Sequence, residues 1–483
     1  MGGDIDHDKV GKGTRMSGLP SIVQTAELYR ERRASPVEVT SALLERIRKV
    51  DRHLSAYTTL TPEAALSQAT FAEEEMSSGR YRSVLHGIPV AVKDIIYTKG
   101  IPTCSGMPIH RNWVPSYDAT VVTRLREAGA IILGKTTTTE GAGMFHHASM
   151  PIAKNPWNPD YWTGVSSSGS GVAVAADLCF GALGSDTGGS IRFPAAANGV
   201  TGLKPTWGRV SRYGVFPLAE SLDTIGPIAR TAADCAAILG VIAGMDASDC
   251  TTVPGEVPDY LSGLEGAAGA RGLRIGVDTA FNNEHGDPEV LSRLEDALQV
   301  FRGIGAEIVE IEFPDPTEFR QYISCLSKVE AALAHRETYP ARASEYGSWL
   351  SQRISEADKT DPMQLGRAIV ERDRFKGALA QTFAQLDVIF LPVLVRPTPD
   401  LSAITGDPQN DTPWMFMFAS ILNHARVPTI TLPCGLTSNG LPTAFQLVGP
   451  HLSEAVLFRA GHAFQQHTTW HGARPDLSWI GTD

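Results

Sequence analysis

Residues 164–194 read GVSSSGSGVAVAADLCFGALGSDTGGSIRFP. The stretch opens on a serine–glycine run, crosses a small apolar segment and closes on a second glycine-rich turn that ends in Ser190. Glycine tolerates positive φ and short hydroxyl side chains bond the local backbone, so both ends read as turns. Ala and Val dominate residues 171–178, which predicts a short buried helix, and 179–183 predicts a strand. That succession can fold the two serine turns together in space. Ser166, Ser167 and Ser190 then stand out as a chemical set.

A serine hydroxyl is a poor nucleophile until a base takes its proton. Histidine is the usual base, yet none lies between His147 and His285. Another candidate lies upstream in IPVAVKDII, residues 88–96, where Lys93 and Asp94 interrupt an otherwise apolar run. Such a run predicts a buried strand. A buried lysine is costly unless neutralised or paired, and desolvation lowers its pKa, which makes a neutral amine available as general base.

IPVAVKD, GVSSSGSG and GSDTGGSIRFPAAANGVTGLKPTWGRVSRYG together resemble the amidase signature family, and TLPCGLTSNGLPTAFQLVG at 431–449 resembles its C-terminal segment. The resemblance covers roughly residues 20–470. It implies a Ser–Ser–Lys triad without histidine: Lys93 as base, Ser166 as bridging serine after a cis peptide bond, Ser190 as nucleophile. It further implies an oxyanion hole at Thr187, Gly188, Gly189 and Ser190, and supporting roles for Ser167, Asp186 and Arg192. Ser167 is expected to help hold Lys93. Asp186, Arg192 and Asp223 read as a buried ion-pair network that braces the nucleophile loop. Two positions depart from the family pattern, Val165 and Ser168 standing where glycines are frequent. Neither change removes a chemical group.

The implied activity is hydrolysis of a carboxylic amide through an acyl-enzyme, with carbamate or aryl ester cleavage by the same triad as the alternative. A third reading is a glutamine-dependent amidotransferase A-type subunit, which GRVSRYGV resembles. Against it, Phe193 stands where such subunits carry glutamine. The implied fold is α/β: one three-layer α/β/α domain over residues 18–483, around a large mixed, mostly parallel sheet, with a helical part up to about residue 80.

Composition agrees with a soluble enzyme. The chain has 483 residues, 42% hydrophobic and 20% charged, enough for a large core. A net charge of −11 disfavours nucleic acid and anionic membranes as partners. The expected partners are a small-molecule amide, carbamate or ester, with the chain a monomer or homodimer. Six scattered cysteines with no CxxC pair indicate neither zinc nor a disulfide framework, and suit a reducing, cytoplasmic setting. No apolar run approaches the length of a membrane span. No GxxxxGK[ST], GxGxxG or HExxH occurs, and no cofactor or metal is expected. The polar, glycine-rich residues 1–17 read as a disordered start.

Along the rest of the chain, Ser35-Pro36-Val37-Glu38 carries a helix-start signature, followed by Val39, Leu43, Ile47 and Val50 on one face. Residues 244–272 read as a linker. LRIGVD, a helix at 287–303 and AEIVEIEF predict a parallel strand–helix–strand unit. His146-His147 reads as a surface or pocket-lining pair, and His467-x3-His471 has metal-like spacing but no evident third ligand, with Trp470 intervening. WMFMFASILN (414–423) reads as core helix, with Met415 and Phe418 the candidates to line an acyl pocket.

Overall fold

A computed structural model describes residues 18–264, 269–404 and 413–480; the segment 1–17, read as disordered, lies outside them. Its centre is an 11-stranded sheet in the order β1-β3-β2-β4-β6-β5-β10-β11-β9-β7-β8. The strands are β1 Tyr57–Leu60, β2 Pro89–Lys93, β3 Ile131–Thr136, β4 Gly181–Asp186, β5 Thr201–Lys204, β6 Thr224–Ala229, β7 Arg274–Val277, β8 Glu307–Glu310, β9 Val388–Pro392, β10 Thr429–Leu436 and β11 Pro442–Val448.

The sheet is mixed, as expected, but its parallel pairs do not predominate. They form two flanks, β3-β2-β4 and β9-β7-β8, joined by antiparallel pairs that run from β4 through β6, β5, β10 and β11 to β9. The expected strand–helix–strand unit is present as β7, the helix Pro288–Gly303 and β8, in parallel. β10 and β11 are joined by the short connection 437–441, and a hairpin closes only antiparallel.

Strand residues alternate between two cores, which is what makes three layers. Val90, Val92, Ile132 and Leu183 pack with Cys235, Ile238 and Leu239 of the helix Ala232–Ile242. Their neighbours Ala91, Ile131, Leu133 and Ala182 pack on the other face with Ile47 and Leu54 of the helix Pro36–Leu54 and Val172 of the helix Ser168–Ala175. The predicted cap is in place: Ser35 Oγ accepts the Val37 and Glu38 N–H groups at 3.1 and 3.3 Å. β1, lodged between the helices Pro36–Leu54 and Pro62–Ser77, interrupts a stretch expected to be helical throughout.

Candidate active site

The site lies where the C-terminal ends of β2, β3 and β4 meet, the edge at which parallel strands commonly present functional groups. β2 runs parallel to both neighbours, with Lys93 opposite Thr136 and Val92 opposite Leu183. This register sets Lys93 beside the end of β4. The helix Ser168–Ala175 fits into the same corner. Its Gly169 N–H donates to the Thr137 carbonyl at 2.9 Å, and Thr136 Oγ1 lies 2.7 Å from Ser170 Oγ. A Cβ on Gly169 would stand 2.3 Å from the Ala56 carbonyl oxygen, so only glycine permits this approach.

Lys93 is fully buried, as are Ser166 and Ser167. Its Nζ lies 2.6 Å from Ser166 Oγ and 2.8 Å from Ser185 Oγ. Burial drives the Lys93 pKa down to about 7, against the opposing pull of Asp223 and Asp186. Ser185 is a partner that reading the residues missed. Ser167 acts one step further out: its Oγ donates to the Ser185 carbonyl at 3.1 Å and accepts the Ser185 N–H at 3.2 Å, which fixes the residue that touches the amine. A small cavity lined by Ile95, Ala142, Ser185, Leu218, Asp223 and Ile225 adjoins this corner.

The Val165–Ser166 peptide is cis. The β-branched Val165 side chain is housed in an apolar cluster with Trp162, Phe193, Met415 and Ala419. Ser168 is buried, its Oγ 3.4 Å from His146 Nε2. Ser166 is held from the opposite side, its carbonyl accepting the Thr139 N–H at 3.3 Å and Thr138 Oγ1 at 3.1 Å.

The turn at 187–190 is built on one carboxylate. Asp186 Oδ1 accepts the Gly189 N–H at 2.8 Å and Oδ2 accepts the Ile191 N–H at 3.0 Å. Arg192 grips both oxygens, Nη2 to Oδ1 at 3.0 Å and Nε to Oδ2 at 3.1 Å, with neither side chain exposed. Burial alone would raise the Asp186 pKa, but the Arg192 charge and hydrogen bonds outweigh it and hold the carboxyl well below its usual range. Arg192 also donates to the Ala419 carbonyl at 3.0 Å and to Asn423 Oδ1 at 2.6 Å, tying the turn to the C-terminal segment. Asp223 accepts Thr187 Oγ1 at 2.5 Å together with the Leu218 and Ala219 N–H groups, so among the described residues its hydrogen bonds come from a hydroxyl and from main chain, not from a cation.

Of the four expected oxyanion donors, Gly189 is thus committed to Asp186. The N–H groups of Thr187, Gly188 and Ser190 have no protein acceptor among the described residues. Ser190 is half-exposed, and its Oγ also lacks a protein partner among the described residues. The two serine turns meet through main chain, the Ser167 N–H donating to the Ser190 carbonyl at 3.3 Å.

Phe193 is buried beneath this turn, its ring centroid 5.7 Å from Trp162 and 5.5 Å from Phe416. Met415 belongs to the same cluster, whereas Phe418 packs elsewhere, 5.0 Å from the Phe281 ring. Phe416, half-buried, meets Phe193 edge to face in this cluster. Burial pushes the His146 imidazole down to about 4, and His147 Nδ1 lies 2.9 Å from Ser149 Oγ. His467 Nδ1 lies 2.8 Å from the Ala463 carbonyl. No helix among the described residues is long and apolar enough to cross a membrane.

The family model described as Amidase matches residues 38–458. A Mycobacterium tuberculosis protein named as an amidase, AmiD, is 42% identical over 476 residues, covering 98% of this chain and 98% of its own length. The A-type subunit of the glutamyl-tRNA(Gln) amidotransferase from Thermosynechococcus vestitus is 38% identical, covering 95% of this chain and 100% of that protein. Among solved structures, the native peptide amidase of Stenotrophomonas maltophilia superposes with a TM-score of 0.82 at 32% identity, covering 95% of this chain and 98% of that one.

Proposed function

The chain belongs to the amidase signature family, and from that premise we propose that it hydrolyses linear carboxylic amides through an acyl-enzyme on Ser190, with Ser166 as proton bridge and Lys93 as base. The observation that carries this reading is the buried amine of Lys93 at 2.6 Å from Ser166 Oγ, with a pKa near 7. An amine in that state accepts a proton at neutral pH, where an exposed lysine cannot.

Rotation of the Ser190 side chain toward Ser166 closes the relay; catalytic hydrogen bonds often tighten only once substrate is bound. The Ser190 proton passes to Ser166 Oγ as the Ser166 proton passes to Lys93 Nζ, and Ser190 Oγ forms a bond to the carbonyl carbon. The carbonyl π pair moves onto oxygen, and the N–H groups of Thr187, Gly188 and Ser190 stabilise the oxyanion, about 3–4 kcal/mol for a well-aimed donor. Collapse breaks the C–N bond, and the proton held on Lys93 returns through Ser166 to the leaving nitrogen. Water then repeats the attack by the same path, releasing the acid and restoring Ser190.

The test is a purified chain offered anilides, primary amides, carbamates and p-nitrophenyl esters. Turnover of amides, with a Ser190-linked acyl adduct seen by mass spectrometry, is the expected result; an adduct on any other residue overturns the assignment. The 38% identity to an amidotransferase chain supports a second reading, in which a partner protein consumes the ammonia. Phe193 speaks against it, because its ring fills an apolar cluster where an amide side chain would lose its hydrogen bonds. Glutaminase activity that appears only on adding such a partner would favour the second reading.

A further inference from the structure

Lys93 has a buried neighbour of the same kind. Lys135 on β3 is also fully buried, but its partners differ. Its Nζ donates to the Ile96 carbonyl and, at 2.7 Å, to Thr103 Oγ1, and lies 3.7 Å from Asp94 Oδ1. Asp94 follows Lys93 in the chain and is equally buried. Its Oδ2 accepts the Cys104 N–H at 3.2 Å, while Oδ1 accepts no hydrogen bond among the described residues and lies 3.7 Å from the Lys135 amine.

Successive residues along a strand face opposite sides of the sheet. Lys93 lies opposite Thr136, which meets Ser170 of the helix Ser168–Ala175. Val92 lies opposite Lys135, and Asp94 emerges on that second face. The carboxylate next to Lys93 in sequence is therefore matched to a different lysine, and Lys93 is left with two hydroxyls.

The same pair reaches Ser166 by a second route. The Asp94 carbonyl accepts the Ser105 N–H at 2.9 Å, the Ser105 carbonyl accepts the Gly141 N–H at 2.9 Å, and Thr139 of that loop donates to the Ser166 carbonyl at 3.3 Å. A Cβ on Gly106 would stand 2.5 Å from the Thr139 carbonyl oxygen, so the two loops are in direct backbone contact.

We propose that Lys135 is a positioning residue for Lys93: it confines the Asp94 carboxylate to the far face of β2, so that the amine at position 93 keeps hydroxyl partners only and stays directed at Ser166. A buried ion pair rarely adds net stability over an apolar pair of the same volume, so its worth here lies in where it places charge. The other charged groups acting on Lys93 are Asp223 and Asp186, and those acting on Lys135, besides Asp94, are Cys104 and Asp118. The inference rests on the acyl-enzyme reading with Lys93 as base.

The experiment compares Lys135→Met, Asp94→Asn and the double variant with wild type, each followed by its thermal unfolding curve and by kcat/KM against pH on an amide substrate. With Lys135 gone, the ionised form of Asp94, a group that burial already raises to about 7, draws the proton toward the amine at 93. The acid limb of the profile is expected to rise by at least about half a pH unit, which is about a twofold loss at about pH 7 and about threefold well below it, recovered at higher pH. The double variant, with both charges removed, is expected to return the limb to the wild-type position. Asp94→Asn alone leaves Lys135 unmatched and is expected to lower the limb, a result that still decides the matter should Lys135→Met not fold. A lowered melting temperature with an unmoved limb in Lys135→Met, or a raised limb in Asp94→Asn, overturns the proposal. Ser190→Ala is run alongside: if it stays active, the acyl-enzyme reading itself fails, whereas an inactive Ser190→Ala with unmoved limbs in the other variants fails this inference alone.

Discussion

Lys93 Nζ and Ser166 Oγ face each other at 2.6 Å, both fully buried, and among the described residues the amine has no carboxylate in its hydrogen-bonding shell. A pKa near 7 follows from burial outweighing the more distant Asp223 and Asp186. The activity of such a base follows its deprotonated form. The expected kcat/KM therefore rises with pH through about 7 and levels off above it. A profile with no acid limb in this region would remove Lys93 from the role of base.

The same depressed pKa bears on stability. Between the folded value of about 7 and the ordinary lysine value of 10.5, the unfolded chain holds a proton that the folded chain has released. Stability contributed by this group accordingly increases with pH across that window, and the penalty is complete below about 7. Lys93→Met removes the penalty. It is expected to abolish turnover while raising stability at pH 6 by about 1–4 kcal/mol, measured by urea unfolding. A less stable Lys93→Met protein would mean that the two serine hydroxyls compensate the buried amine fully.

Ser190→Ala removes the proposed nucleophile from a half-exposed position where its hydroxyl makes no protein hydrogen bond among the described residues. Turnover is expected to vanish with the melting temperature nearly unchanged, since surface substitutions away from buried features usually fall within about 0.5 kcal/mol. Residual turnover above a few per cent of wild type would require another nucleophile.

Ser185→Ala takes away the 2.8 Å partner of Lys93. Losing one hydrogen bond to a buried group costs about 1–3 kcal/mol, so kcat is expected to fall by about tenfold to a hundredfold, with the Ser190 adduct still formed. Unchanged kcat would show that Ser166 alone holds the amine.

Asp186→Asn strips the carboxylate from a fully buried Arg192. Breaking a buried pair from one side costs about 3–5 kcal/mol, and the variant is expected to unfold at markedly lower urea concentration than wild type. A shift in midpoint of only a few tenths molar would argue that Asn423 and the Ala419 carbonyl suffice to hold the guanidinium.

Much of this was legible in the residues because it rests on local pattern. The apolar run at 88–96 marked β2, and Ser35-Pro36 marked a helix start whose cap bonds are in place. What escaped depended on long-range partners. β1 is four residues long and forms because the edge of β3 offers it hydrogen bonds at Thr136 and Gly134; nothing in Tyr57–Leu60 alone demands a strand. Phe416 and Phe418 are two residues apart in one apolar run, yet one borders Phe193 and the other enters a separate core. The commitment of Gly189 to Asp186 was equally hidden, since the turn's composition reads the same whichever N–H the carboxylate takes.

The chain order of Lys93, Ser166 and Ser190, and the apolar setting that keeps the first of them dry, are properties of the residues themselves: composition decides what can be buried. The assignment of partners is a property of register. Parallel pairing of β2 with β4 brings Ser185 to Lys93, and pairing with β3 delivers Asp94 to Lys135. One residue of slip would send each side chain to the opposite face of the sheet. Register is set by contacts far apart in the chain, and so it is there, not in the motifs, that this lysine came to be bonded to two hydroxyls.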